Sequence, residues 1–191
     1  DISSDSRYSF VRADIADTLA MEAVFNRGPL WAVVNFAAES HVDRSITDPG
    51  LFVRTNVLGT QLLLDLAHRH GVERFQQVST DEVYGSLGST GKFTEKSQLA
   101  PNSPYAASKI GADQLALAWH RSFELPVTIL RPFNTYGPRQ SARAVIPAIM
   151  TQILSGSDKI KLGATKPRRD LNYVQNTVDA FMSVLDKSAT I

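Results

Sequence analysis

Short apolar runs, each followed by a segment of helical periodicity, constrain this 191-residue chain most. Trp31–Phe36 is an apolar run of the kind found in parallel strands covered on both faces. Pro49–His70 then reads as one long helix. Leu58, Leu62 and Leu66 recur on one face, and His68, Arg69 and His70 stand at the negative end of its dipole, before Gly71. Arg74–Val78 is the next buried strand. Ser103 and Pro104 start another helix, with Ser at the N-cap and Pro in the first turn, and it runs to about Phe123. Pro126–Leu130 is a further strand, ended by Arg131-Pro132. Strands alternating with helices predict an α/β fold: a doubly wound parallel sheet with right-handed crossovers.

The other segments are less regular. Tyr8–Ala13 alternates and predicts a strand, and Asp14–Asp17 a turn. Asp17 or Thr18 caps a helix over Leu19–Arg27, closed by Gly28-Pro29. Ala37–Asp48 and Gly85–Pro101 read as long loops. Ala144–Leu154 predicts a helix started or kinked at Pro147, Lys159–Leu162 a short strand, and Asn172–Lys187 a last helix. A nucleotide-binding sheet of this kind opens with a Gly-rich turn that holds a pyrophosphate at a helix N-terminus. No G-x-G-x-x-G occurs, so the sheet is expected to be truncated at its N-terminus.

Twenty Lys and Arg against nineteen Asp and Glu leave a net charge of +1 with no like-charge block, which argues against a nucleic-acid partner. The chain has no cysteine, which removes disulfides and thiolate metal sites and fits a reducing compartment. No apolar run approaches the ~20 residues that span a bilayer. His41, His68, His70 and His120 lack metal-ligand spacing. A cytoplasmic protein with no membrane partner and no metal is expected.

The chemistry gathers after the strand at Arg74–Val78. Ser79, Thr80, Asp81 and Glu82 put two hydroxyls and two carboxylates at a strand's carboxyl end, where open α/β sheets bind ligands. Tyr105 and Lys109, four apart, share a helix face. An ammonium beside a phenol favours the phenolate, which makes Tyr105 a base for a hydroxyl during hydride transfer. Each element alone has a bland reading: a surface Tyr–Lys pair, solvated acids, a strand-end hydroxyl.

Together, Ser79-Thr80-Asp81-Glu82-Val83-Tyr84-Gly85, Tyr105-x-x-x-Lys109 and Arg131-Pro132-Phe133-Asn134-x-Tyr136-Gly137-Pro138 resemble the extended short-chain dehydrogenase/reductase family. Asn35–Ser45 and Asn56-Val57-Leu58-Gly59-Thr60 narrow the resemblance to nucleotide-sugar 4,6-dehydratases, and most closely to those acting on dTDP-glucose. The resemblance implies a Rossmann-like fold. It implies a partial NAD-binding domain over residues 1–135, part of a substrate-binding region over 136–171, and a returning helix in 172–191.

It also implies roles. Tyr105 deprotonates the sugar C4 hydroxyl as hydride passes from C4 to NAD, and Lys109 binds the nicotinamide ribose and lowers the Tyr105 pKa. Thr80 hydrogen-bonds the C4 oxygen. Glu82 removes the C5 proton, Asp81 protonates the departing C6 hydroxyl, and hydride returns to C6. Asp14 and Ile15 contact adenine, Ala37 and Ala38 line the cofactor channel, Asn134 and Arg169 hold the nucleotide sugar, and Asn56 is a structural hydrogen-bonder near the site. A homodimer through helices Pro49–His70 and Pro104–Phe123 is implied too. The stretch Phe133–Arg143 looks more like UDP-sugar dehydratases, which keeps a UDP-sugar substrate as the alternative. A 4-epimerase would keep Tyr105 and Lys109 but has no use for the acid pair, and a non-catalytic binding protein would need none of the set.

Overall fold

The computed structural model describes residues 2–166 and 168–187. Asp1, Pro167 and residues 188–191, which the expected regions include, lie outside the described residues. The described chain forms two compact units that divide between Arg131 and Pro132.

The first unit is built on β1 (Ala32–Asn35), β2 (Arg74–Val78) and β3 (Val127–Leu130), all parallel and ordered β1-β2-β3. Before β1 comes α1 (Thr18–Phe25), whose N-cap Asp17 accepts a bond from the Ala20 amide at 3.1 Å. The first crossover contains α2 (Val42–Thr47), α3 (Pro49–Phe52), a π-helical segment Val53–Gly59 and α4 (Thr60–Arg69). The second passes through a 3-10 turn, Asp81–Tyr84, and α5 (Pro104–Phe123), capped by Ser103 as its sequence predicts. Met21 and Phe25 of α1, Leu63, Leu64, Leu66 and Ala67 of α4, Ala116 of α5, and Phe75 and Val127 of the sheet form one apolar core. Burial of this kind is the main term favouring the fold, at roughly 25 cal/mol per Å² of apolar surface.

Four expectations are corrected. Tyr8–Ala13 forms no strand; Phe10 is 74% exposed, and the segment pairs with no described strand, so alternation alone has no partner to order it. The supposed loop Ala37–Asp48 contains α2, held by the buried Ser45 hydroxyl donating to the Val42 carbonyl at 2.6 Å. Pro49–His70 is helical but not uniform. The π-helical turn carries an extra residue and changes the phase of the side chains along it; within it Leu58 is 54% exposed and Asn56 is buried. Lys159–Leu162 is not a strand, because the Gln152 side-chain amide bonds both the N–H and the C=O of Lys161, at 2.7 and 3.1 Å, in place of a strand neighbour.

The second unit pairs two strands that the sequence did not announce, β4 (Asn134–Tyr136) and β5 (Leu171–Tyr173), parallel in register Thr135 with Asn172. Between them lies α6 (Val145–Leu154), which begins before Pro147 and carries that residue in its first turn. The final helix α7 (Val174–Asp186) follows β5 directly, two residues later than expected. Thr177 ties it to both strands, through Thr135 at 3.2 Å and Asn172 at 2.9 Å.

Candidate active site

The carboxyl end of β2 carries the site. After Val78 the backbone stays extended through Thr80 and then closes into the turn Asp81–Tyr84. Thr80 caps that turn, its hydroxyl accepting from the Glu82 amide at 3.3 Å. Gly85 ends the turn with φ +78, and a Cβ there would strike the Ala100 carbonyl oxygen. Glycine is therefore required where the chain leaves the acid pair.

Tyr105 stands in the first turn of α5 and is 9% exposed, against the edge of Phe52 with ring centroids 6.3 Å apart. The expectation that Lys109 lowers the phenol is corrected: burial pushes it above the ordinary value, and the Lys109 ammonium is given to the Val78 carbonyl instead. The Thr80 hydrogen bond pulls the other way, and the Glu82, Asp81 and Asp113 carboxylates add to the rise. The hydroxyl, the acid pair and the tyrosine predicted from separate motifs thus act on one another in the folded unit. Lys109, one turn on and 3% exposed, gives its ammonium to the Val78 carbonyl at 2.5 Å. Burial lowers it to about 8, and the Asp113 carboxylate opposes that fall.

The loop after β1 is fixed to the same helix by Asn56. Its side chain accepts from the Glu39 amide at 2.9 Å, donates to the Glu39 carbonyl at 3.0 Å and donates to Ser108 at 2.8 Å. Ser108 in turn donates to the Tyr105 carbonyl at 2.7 Å. Ala37 and Ala38 lead into this anchored residue, the first exposed and the second half-buried. The Ala37 amide donates to Asn35, whose side chain is buried against Thr60 and Gln77. Asp14 pairs with Arg54 at 2.6 Å, and the Ile15 side chain lies against Gly59, where a Cβ would come within 2.6 Å of it.

The second unit holds the other two predicted contacts. Asn134 is exposed at the start of β4, and Arg169 is exposed with its guanidinium on the Arg168 carbonyl at 3.0 Å. Asp113 and the role of Arg131 escaped the reading of the sequence. Asp113 is fully buried in α5, bonded to Ser79 at 2.9 Å and to two nitrogens of Arg131 at 3.0 and 2.9 Å. The signal was a carboxylate four residues beyond Lys109, in the middle of a helix that packs on the sheet. Among the described residues no cluster of three or more His, Asp or Glu could hold a metal ion, and no helix is long and apolar enough to cross a membrane.

Parallel strands with helical crossovers, a Thr–Asp–Glu turn at the end of the middle strand and a Tyr–Lys pair on the next helix define a Rossmann-like protein of the extended short-chain dehydrogenase/reductase type. Residues 1–190 match the GDP-mannose 4,6 dehydratase family, and the chain belongs to it. It is 49% identical to the dTDP-glucose 4,6-dehydratase of Actinoplanes sp. over 91% of this chain and 53% of that protein. A crystal structure of dTDP-glucose 4,6-dehydratase from Streptomyces venezuelae with NAD bound superposes with a TM-score of 0.88 at 42% identity, covering 99% of this chain and 58% of that one. UDP-glucuronic acid 4-epimerase from Bacillus cereus superposes with a TM-score of 0.86 at 26% identity, over 100% of this chain and 59% of that one. The chain spans about half the length of the curated relatives it matches.

Proposed function

We propose that this protein is an NAD-dependent nucleotide-sugar 4,6-dehydratase acting on dTDP-glucose, with dTDP-4-keto-6-deoxyglucose as product. The observation that carries the reading is the meeting of Thr80, Asp81 and Glu82 with Tyr105 at the carboxyl end of β2. Oxidation at C4 needs one base, and elimination across C5 and C6 needs a second base and an acid. Tyr105 takes the C4 hydroxyl proton, and Thr80 holds the C4 oxygen during that transfer. Glu82 removes the C5 proton once C4 is a ketone, and Asp81 gives a proton to the leaving C6 oxygen. The two carboxyl groups then work in opposite protonation states, which local environment sets.

NAD, when bound, supplies the hydride acceptor for C4 and the donor for C6. The residues present fit it. Alanines at 37 and 38 leave room beside the strand end, and the Lys109 ammonium turned toward Val78 offers further N–H donors to a ribose. Asp14 and Ile15 would face its adenine end. Asn134 and Arg169 would take the nucleotide of the substrate, a guanidinium fork being suited to phosphate oxygens. The working form is proposed to be a cytoplasmic homodimer through the helices at Pro49–His70 and Pro104–Phe123. Exposed Val53, Leu58 and Phe123 on those helices support that arrangement.

The test is incubation of the full-length protein and NAD with dTDP-glucose, and separately with UDP-glucose and UDP-N-acetylglucosamine, followed by mass spectrometry. Loss of one water from dTDP-glucose is expected. Loss only from a UDP sugar moves the substrate and keeps the reaction. An isomer of unchanged mass would overturn the dehydratase reading in favour of an epimerase, for which Asp81 and Glu82 have no use.

A further inference from the structure

We propose that Asp113 is a positioning residue of this site, a buried anion that locks the acid-bearing turn to the Tyr105–Lys109 helix and keeps Lys109 in its charged form. The proposal rests on the dehydratase reading for what the site does, but not for how Asp113 acts. Asp113 is 0% exposed and lies in line with Tyr105 and Lys109 on successive turns of α5. Burial pushes its carboxyl above the ordinary value, and Arg131, Ser79 and Lys109 pull it back, so the charge is retained only through those partners. One of its oxygens takes three bonds: from the Ser79 hydroxyl at 2.9 Å, from Arg131 Nε at 3.0 Å and from a second Arg131 nitrogen at 2.9 Å.

Those partners bracket the catalytic turn. Ser79 immediately precedes Thr80, and its amide is bonded to the Leu130 carbonyl of β3 at 2.7 Å. Arg131 follows that carbonyl in the chain, and its other nitrogen donates to the Tyr84 hydroxyl at 3.0 Å, with the guanidinium 5.2 Å above the ring. Tyr84 is the last residue of the turn, and it stacks on Phe93 with centroids 5.3 Å apart. One carboxylate on α5 therefore fixes the residue before Thr80 directly and Tyr84, two residues after Glu82, through Arg131. Loss of that link frees both ends of the segment that carries Asp81 and Glu82.

The second oxygen of Asp113 is buried with no hydrogen-bond partner among the described residues. Its charge is available to Lys109 one turn back, whose ammonium is otherwise held by the neutral Val78 carbonyl. The elements beside Tyr105 and Lys109 carry these titratable groups: α5 carries Asp113, the turn after β2 carries Asp81 and Glu82, and Arg131 follows β3. Towards the same helix α3 presents Phe52 and the π-helical segment Asn56, neither of which titrates. The one Arg44 of α2 pairs with Glu39. Asp113 is thus the anion that sustains Lys109 against burial.

The experiment uses Asp113→Asn and Asp113→Glu in the full-length protein. The Lys109 ε-CH2 resonance, assigned by its loss in Lys109→Arg, is titrated without substrate, and the alkaline limb of kcat/KM is measured beside it. Asp113→Asn should lower the Lys109 midpoint by about one pH unit, a typical effect of a nearby buried charge. It should bring the alkaline limb down with it, and Asp113→Glu should restore both. An unmoved midpoint in Asp113→Asn overturns the proposal, whatever happens to the rate. Where Asp113→Asn does not fold, the wild type itself is read: the Asp113 carboxyl 13C resonance should be that of a carboxylate and should shift through the Lys109 midpoint, and a protonated or unresponsive Asp113 overturns the proposal. Normal titration behaviour in a protein that dehydrates no nucleotide sugar would refute the assigned reaction and leave the Asp113 link standing.

Discussion

A buried ammonium is a stability cost with a definite pH signature. Lys109 falls from 10.5 to about 8 because burial disfavours its charge more than Asp113 restores it. Between those two values the unfolded chain holds a proton that the native chain has released. Stability therefore rises with pH across that window, and the cost is fully present below it. At 1.36 kcal/mol for each pH unit, the gap amounts to about 3 kcal/mol. Lys109→Met keeps the length of the stem and removes the titration. Packing changes and the lost bond to Val78 give an offset that does not depend on pH. Urea unfolding of the full-length wild type and variant, near pH 7 and again near pH 10.5, should therefore show the wild type gaining about 3 kcal/mol on the variant. The variant should lose activity at either pH. Two stability curves that stay parallel across the window would refute the reasoning, since Lys109 would then titrate alike in both states.

Other perturbations test the frame around it. Gly85→Ala places a methyl group against the Ala100 carbonyl at φ +78 and should destabilise by roughly 2 kcal/mol or more, read from the thermal midpoint. Asn56→Leu strips Glu39 and Ser108 of three bonds and should cost about 3 kcal/mol in urea unfolding; a cost below ~1 would mean those groups find water instead. Glu82→Gln should abolish incorporation of solvent deuterium at the sugar C5, and exchange at the wild-type rate would remove Glu82 as the base. Tyr105→Phe should suppress C4 oxidation and with it every later step, a loss seen in kcat and kcat/KM alike.

The features legible in the sequence are those whose cause lies within a few residues. Asp17 and Ser103 cap helices that start beside them, and Pro104 sits where a missing N–H costs nothing. The strand at Arg74–Val78 was legible for the same reason. Asn56 was readable as a polar residue that needed partners, but not which ones. They lie 17 and 52 residues away, and the π-helical turn that points it inward leaves no compositional mark. Lys161 shows the same limit from the other side: its strand-like sequence is answered by the Gln152 side chain, nine positions back. Asp113 is the fullest case, because its partners arrive from the ends of two strands, and Ser79 is 34 positions distant. A motif names the groups that meet the substrate. The groups that hold them there are chosen by burial, and a charge with no water around it must be matched by whatever the fold brings near. That is why the acid pair, the tyrosine and the lysine could be picked out one by one, while the carboxylate beside them became visible only when β2, β3 and α5 stood together.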